Sequence, residues 1–399
     1  MPTQSSAARV CLAGFLALVV AMGIGRFAFT PLLPLMQADG QIDLRQGAWL
    51  ATANYLGYLA GAMTIARLRM DPKTLIRISA PLLAVLTAGM SATGQMLPWL
   101  MLRFAAGVLS AWVLVGVSAW CLAELAKAGR AAWSGTVYAG VGAGIALAGL
   151  FCLAGSGLKI PAADLWWQLG AGAALLCVAI VLLVPPAGSD WVPPQAAASQ
   201  PGRPAGPQHR GLVVCYGCFG FGYILPATFL PALARATLDD PALFGWSWPV
   251  FGIAAAISTL LAGTLFAKTP RVRLWATCQL LMAAGAALPG LWPAPASVLL
   301  SAVLVGGTFM VITMAGMQEA RARAGANATK LLGQMTAAFA LGQIAGPVAS
   351  ALLGYGFAGA LDGVRFALLI AAAVLAASGW WLLRAQTQAF LIQPTGVSK

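Results

Sequence analysis

Charge is scarce in this chain: 8% of its 399 residues are Asp, Glu, Lys or Arg, against about 25% in an average soluble domain. The shortage excludes a water-solvated globule. Hydrophobic residues make up 60% of the chain, and too few ionic groups remain to cover so much apolar surface. Histidine occurs once, at His209, which excludes a histidine-based metal site. Only 10 acidic residues are present and none falls inside a long apolar run. Clustered carboxylates for acid–base catalysis or for a buried proton relay are therefore missing as well. No P-loop is present, which argues against an ATP-driven pump and against a nucleotide cofactor. The seven cysteines are scattered; only Cys215 and Cys218 sit three apart, and inside an apolar run they read as small packing residues.

What the chain has instead is apolar length. Runs without a charged residue cover 46–66, 78–102, 131–158, 165–189, 211–234, 241–267 and 331–361, and a helical bilayer span needs about 20 such residues. The run 274–318 holds two spans, divided by Trp292-Pro293-Ala294-Pro295. None alternates with period two, as a membrane β-barrel would, so the spans are helices. Arg9 followed by Val10–Met22 has the form of a signal peptide. However, the apolar stretch runs on past Arg26 to Met36, and it has an internal copy. The expected fold is all-α: a polytopic membrane protein with twelve transmembrane helices. These fall at 10–37, 46–66, 78–96, 99–123, 132–155, 165–184, 212–234, 244–267, 274–292, 296–318, 331–354 and 365–384.

The connections then alternate between two sides. One side holds both termini and 17 of the 23 basic residues; the other holds Arg45, Lys159, Arg235 and Arg365, while Arg26 and Arg103 lie within spans. By the positive-inside rule both termini are cytoplasmic. The same distribution accounts for the net charge of +13 without a nucleic-acid partner. A Pro-rich stretch, 185–211, reads as a cytoplasmic linker. It separates an N-terminal six-helix bundle, 1–184, from a C-terminal one, 212–399. The halves echo each other. Gly23-Ile24-Gly25-Arg26 with Pro34 matches Gly220-Phe221-Gly222-Tyr223 with Pro231, Leu59-Ala60-Gly61 matches Leu261-Ala262-Gly263, and Glu124 and Glu319 end equivalent spans. Two parallel six-span repeats related by an axis along the membrane normal are the plan of the major facilitator superfamily.

Gly23–Met36 (GIGRFAFTPLLPLM), Ala51–Ala62 (ATANYLGYLAGA), Leu102–Leu114 (LRFAAGVLSAWVL), Tyr138–Gly149 (YAGVGAGIALAG), Tyr216–Ala232 (YGCFGFGYILPATFLPA) and Met335–Pro347 (MTAAFALGQIAGP) are the stretches that carry a family likeness. Through them the chain resembles, along nearly its whole length, the bacterial YbfB/YjiJ-type branch of that superfamily. The resemblance implies a secondary carrier working by alternating access at a midplane site. It also implies a multi-pass protein of the bacterial inner membrane, functional as a monomer, with a small-molecule substrate and the lipid bilayer as its partners. Arg103–Ala111 (RFAAGVLSA) resembles the fourth-span signature, in which the Arg is assigned to coupling. Two signatures depart from the pattern. Ile65 stands where an Asp follows Gly61, and the fifth span lacks its Gly-Pro, although Gly346-Pro347 offers such a pair in the eleventh.

Arg26 is the residue that points most directly to function. An unpaired Arg at mid-span costs at least about 2.5–3.5 kcal/mol, so it should face the bundle interior, and no intramembrane acid is there to pair with it. An anionic substrate group would meet its guanidinium fork; the bland alternative is satisfaction by carbonyls near Pro31 and Pro34. The superfamily likeness places Tyr223 opposite. Asn54, Tyr55 and Tyr58 share near-helical spacing, and with Gln334 and Gln343 they are further hydrogen-bonding candidates, or simple interhelical contacts. For gating, Glu124 and Glu319 are expected to pair with Arg67, Arg69, Arg271 or Arg273. Arg103 is expected either to couple or to snorkel. The expected function is transport of a small organic anion. Efflux of amphipathic drugs is the alternative, and a membrane enzyme or scaffold the distant one. No catalytic residue, metal or cofactor is expected.

Overall fold

A computed structural model describes residues 4–68, 70–186, 207–237, 241–292, 294–325, 328–354 and 360–392. Arg69, Arg203, Pro293 and most of the linker lie outside them. The described residues form helices and turns, with no strand among them.

The first rod is composite. α1 (Gln4–Leu18) passes through a π-helical stretch, Val19–Phe27, into α2 (Phe29–Ala38). Then follow α3 (Leu44–Leu68), α4 (Pro72–Gly89), α5 (Met96–Lys127), α6 (Ser134–Gly157) and α7 (Ala162–Leu183). The second series is α8 (Pro207–Thr237), α9 (Pro241–Thr264), α10 (Arg271–Leu291), α11 (Pro295–Ala324), α12 (Ala328–Gly354) and α13 (Ala360–Ile392). Among the described residues nine of these rods are long and apolar enough to cross a membrane. α3, α4 and α12 fall short by composition or length, yet they are wedged among the others: α3 on α5 and α12, α4 on α5 and α7, α12 on α8.

Large apolar side chains cover the outside of the bundle: Leu175, Leu182 and Leu265 each expose more than 70% of their surface. A soluble protein would bury them, so lipid is the solvent of these faces. Inside, small residues let the helices touch. A Cβ on Gly57 would lie 1.9 Å from the Phe104 carbonyl oxygen, and one on Gly107 would lie 2.2 Å from that of Asn54, so α3 and α5 cross backbone to backbone. The same kind of contact recurs at equivalent places in the two series. Gly140 sits on Phe15 of α1, and Gly342 sits on Gly217 of α8.

One seam joins α1–α7 to α8–α13 along its full length. Gly135, Gly142 and Gly149 recur every seven residues, two helical turns apart, on one face of α6. They meet Gly263, Ala256 and Pro249 of α9. At the end bearing the basic loops, α7 finishes against cations. Arg9 donates to the carbonyls of Leu182 and Leu183, Arg77 to those of Val181 and Val184, and Lys73 to Pro186. They satisfy the orphan carbonyls of a helix C-terminus and complement its dipole.

Candidate functional site

Arg26 lies in the last turn of the π-helical stretch, which packs closely on α6. A Cβ on Gly23 would lie 2.3 Å from the Gly144 Cα of α6, so the two backbones are in contact. Arg103 reaches across from α5 to the end of this stretch. Its Nη1 and Nη2 approach the Gly25 and Arg26 carbonyl oxygens at 3.4 Å each. Its guanidinium lies 4.5 Å from the Phe29 ring centroid. Arg103 is 3% exposed, so it does not snorkel to the surface. The Arg103 carbonyl in turn accepts from Asn54 Nδ2 at 3.0 Å.

Arg26 is 2% exposed. Its guanidinium lies over the Tyr58 ring, 3.6 Å from the centroid, with the Tyr55 and Phe27 rings at 5.9 and 5.5 Å. Nη2 donates to Oε1 of Gln343, which is fully buried on α12. Arg26 is thus held between the two series of helices. Its Nε and Nη1 are buried and have no hydrogen-bond partner among the described residues, as is true of Arg103 Nε, Asn54 Oδ1, Tyr223 Oη and Trp248 Nε1. All five residues line one cavity of about 100 Å³. Tyr223 stacks on Phe309 at 5.0 Å and Trp248 on Phe251 at 5.2 Å. Among the described residues no carboxylate lines the cavity, so none of them compensates its two cations. Among the described residues there is also no His/Cys/Asp/Glu group able to hold a metal ion.

The cavity is sited toward the end opposite the basic loops, since Thr30 and Leu33 of α2 and Ala51 of α3 line it with Ile224 and Ala227 of α8. At the basic end the two series touch. Gln318 Nε2 donates to Ser134 Oγ at 2.6 Å, Arg321 Nη1 to the Ala119 carbonyl at 2.8 Å, and Gly333 packs on Ala62 and Ile65.

Most of the residues expected at the site therefore converge there: Arg26, Asn54, Tyr55, Tyr58, Tyr223 and Gln343, with Arg103. Gln334 does not. It is exposed, nine residues and about 13 Å along α12 from Gln343. Of the pairings expected of Glu124 and Glu319, the one between Glu319 and Arg271 forms. Glu124 pairs with Lys127 of its own helix at 2.8 Å. Glu319 pairs with Arg323 of its own helix at 2.6 Å and with Arg271 of neighbouring α10 at 3.9 Å, so none of these pairs crosses between the series. Arg67 is exposed at the end of α3. Trp248 lines the cavity, Trp112 donates to the Gly61 carbonyl at 3.1 Å, and Trp246 is exposed. The sequence does not single out Gln318, and it marks Arg321 only as one of the basic residues that follow Glu319. Their signal is two polar residues one helical turn apart where an apolar span ends.

Residues 18–383 match the family profile described as "Uncharacterised MFS-type transporter YbfB". The chain belongs to this transporter family. Its activity is accordingly transport rather than catalysis. No curated protein matches the sequence. Among solved structures the transporter is similar to the human organic anion transporter MFSD10 (TETRAN), with a TM-score of 0.71 at 16% identity over 96% of this chain and 100% of the human one. At that identity the likeness establishes a shared fold.

Proposed function

We propose that this transporter carries a small organic anion, by alternating access, through the cavity around Arg26. The observation that carries the reading is the buried guanidinium, whose Nε and Nη1 lack hydrogen-bond partners among the described residues, at a cavity that none of those residues lines with a carboxylate. Such a charge is costly in a bilayer, and a bound anion compensates it. The human protein of the same fold is named an organic anion transporter, so the architecture accommodates cargo of this kind. In the reading proposed here the rods make twelve spans and the basic end is cytoplasmic, as the 17 basic residues on that side argue. The cavity then faces outward. Bundles 1–184 and 212–399 rock along the glycine column of α6, and the protein acts as a monomeric secondary carrier in a bacterial inner membrane. Arg103 acts by holding the π-helical stretch that presents Arg26.

The test is thermal stability of the purified protein against metabolites grouped by charge, since a ligand bound by the folded state raises the midpoint by mass action. Carboxylates and other anions are expected to raise it, and vesicle uptake then follows with those solutes. If only neutral or cationic amphiphiles do so, the drug-efflux reading, favoured by the Trp248–Phe251 and Tyr223–Phe309 stacks, replaces it.

The cytoplasmic gate in this reading is Gln318 and Arg321. Replacing both by Ala removes two hydrogen bonds across the seam. Labelling of an Ala62→Cys probe by a membrane-impermeant maleimide from the cytoplasmic side, in a background without native cysteines, is expected to rise several-fold. Glu124→Gln with Glu319→Gln is expected to leave it unchanged, because those carboxylates pair locally. The reverse pattern returns the gate to the acidic residues.

A further inference from the structure

The two walls of the cavity differ in kind. One is built from the π-helical stretch, α2, α3 and α5 and carries both guanidiniums. The other, from α8 and α9, presents Tyr223, Ile224, Ala227 and Trp248 and, among the described residues, no charged one. An anion that binds here places its charge against the first wall. A second charge at its far end would face the second wall without a cation to meet it. The aromatic wall suits an apolar body, and a volume of about 100 Å³ is below the roughly 150 Å³ of an engineered cavity that takes benzene, so the ligand is compact.

The charged wall also holds an acceptor. Asn54 is fully buried. Because its Nδ2 is committed to the Arg103 carbonyl, Oδ1 is the atom left for the cavity, and it has no partner among the described residues. A carboxylate has no proton to give it. A hydroxyl next to the carboxylate does. From this we infer that the transporter selects compact hydroxylated monocarboxylates: the carboxylate on Arg26, the neighbouring hydroxyl donating to Asn54 Oδ1, the apolar remainder against Trp248. The inference rests on the anion reading above and adds the hydroxyl and the single charge. A site with a buried polar group discriminates strongly against an analogue that leaves that group unpaired, so Asn54 is the specificity determinant.

Two compact acid pairs that differ by one hydroxyl test it: lactate against propionate and 2-hydroxybutyrate against butyrate, with succinate as the dianion. Each is titrated against the thermal midpoint of the purified full-length protein. Lactate and 2-hydroxybutyrate are expected to bind at least tenfold more tightly than their deoxy partners, and succinate more weakly than either hydroxy acid. Asn54→Leu should bring the ratio within each pair to about one. Asn54→Ser keeps a shorter acceptor, should retain part of the preference, and carries the test if the Leu variant does not fold. Equal binding within both pairs in the parent, or a preference that survives Asn54→Leu, overturns the hydroxyl assignment and leaves the anion reading standing. If none of the five acids shifts the midpoint while cationic or neutral compounds do, both fall.

Discussion

Arg26→Gln is expected to remove the stabilisation of the transporter by anions while leaving the unliganded protein nearly as stable as the parent. The two halves of that expectation come from different terms. Losing a buried charged hydrogen-bond partner costs a ligand about 2–5 kcal/mol, which at 1.4 kcal/mol per tenfold is on the order of 30- to several-thousand-fold in affinity. The empty protein loses a desolvated cation–π contact with Tyr58, worth about 2 kcal/mol. It also loses a charge-assisted bond to Gln343, worth about 1.5–3 kcal/mol. It gains relief from burying an uncompensated guanidinium, a penalty of several kcal/mol, so the sum is close to zero. Arg26→Lys keeps a point charge but not the planar fork and should bind anions at an intermediate strength. The measurement is a pair of melting curves, with and without the anion that most stabilises the parent. A variant that responds as the parent does would make Arg26 a structural residue.

The second large effect is mechanical. Gly57→Ala and Gly107→Ala each place a methyl group where the α3–α5 crossing has none to spare, 1.9 and 2.2 Å from opposing carbonyl oxygens. In an open helix Ala is preferred to Gly by about 1 kcal/mol. At this crossing the clash is with backbone, which cannot swing aside, and overpacking of about 3 kcal/mol or more outweighs the propensity gain. The damage should reach the site, because Asn54 and Tyr58 flank Gly57 and Arg103 lies one turn from Gly107. Gly172→Ala in α7 is the control. Nothing lies within 4 Å of the added methyl, and a neutral or slightly stabilising effect is expected. Folded yield and melting temperature in detergent check the three side by side, and equal behaviour would mean that the crossing is looser than described.

Several features of the molecule were readable before any coordinates. A scarcity of charge with long apolar runs dictates helices in lipid, because only helices and closed barrels satisfy their backbone there and the runs lack a barrel's alternation. The echo of Gly23–Arg26 in Gly220–Tyr223 reads as a repeat, and the cost of an unpaired mid-span cation requires Arg26 to face inward. All of these follow from local composition and the dielectric of the bilayer.

Rotation and register were not readable. α12 is apolar nearly all round, so nothing in its pattern says that Gln343 faces Arg26 and Gln334 does not; packing against α8 and α3 decides it. The acids show the same limit from the other side. Glu124 and Glu319 are expected from the sequence to pair with Arg67, Arg69, Arg271 or Arg273, and Glu319 does reach Arg271, but a partner three or four residues away on the same helix is already in reach at little entropic cost. Those local pairs prevail, and the seam is closed by Gln318 and Arg321 instead. The π-helical stretch is a third case: it arises where Gly23 meets Gly144, a contact between segments more than a hundred residues apart. Sequence therefore settled the solvent, the element type and the one costly charge, each a property of a short stretch of chain. Which polar atoms surround that charge, and which remain open to a ligand, depended on how distant helices turn toward one another.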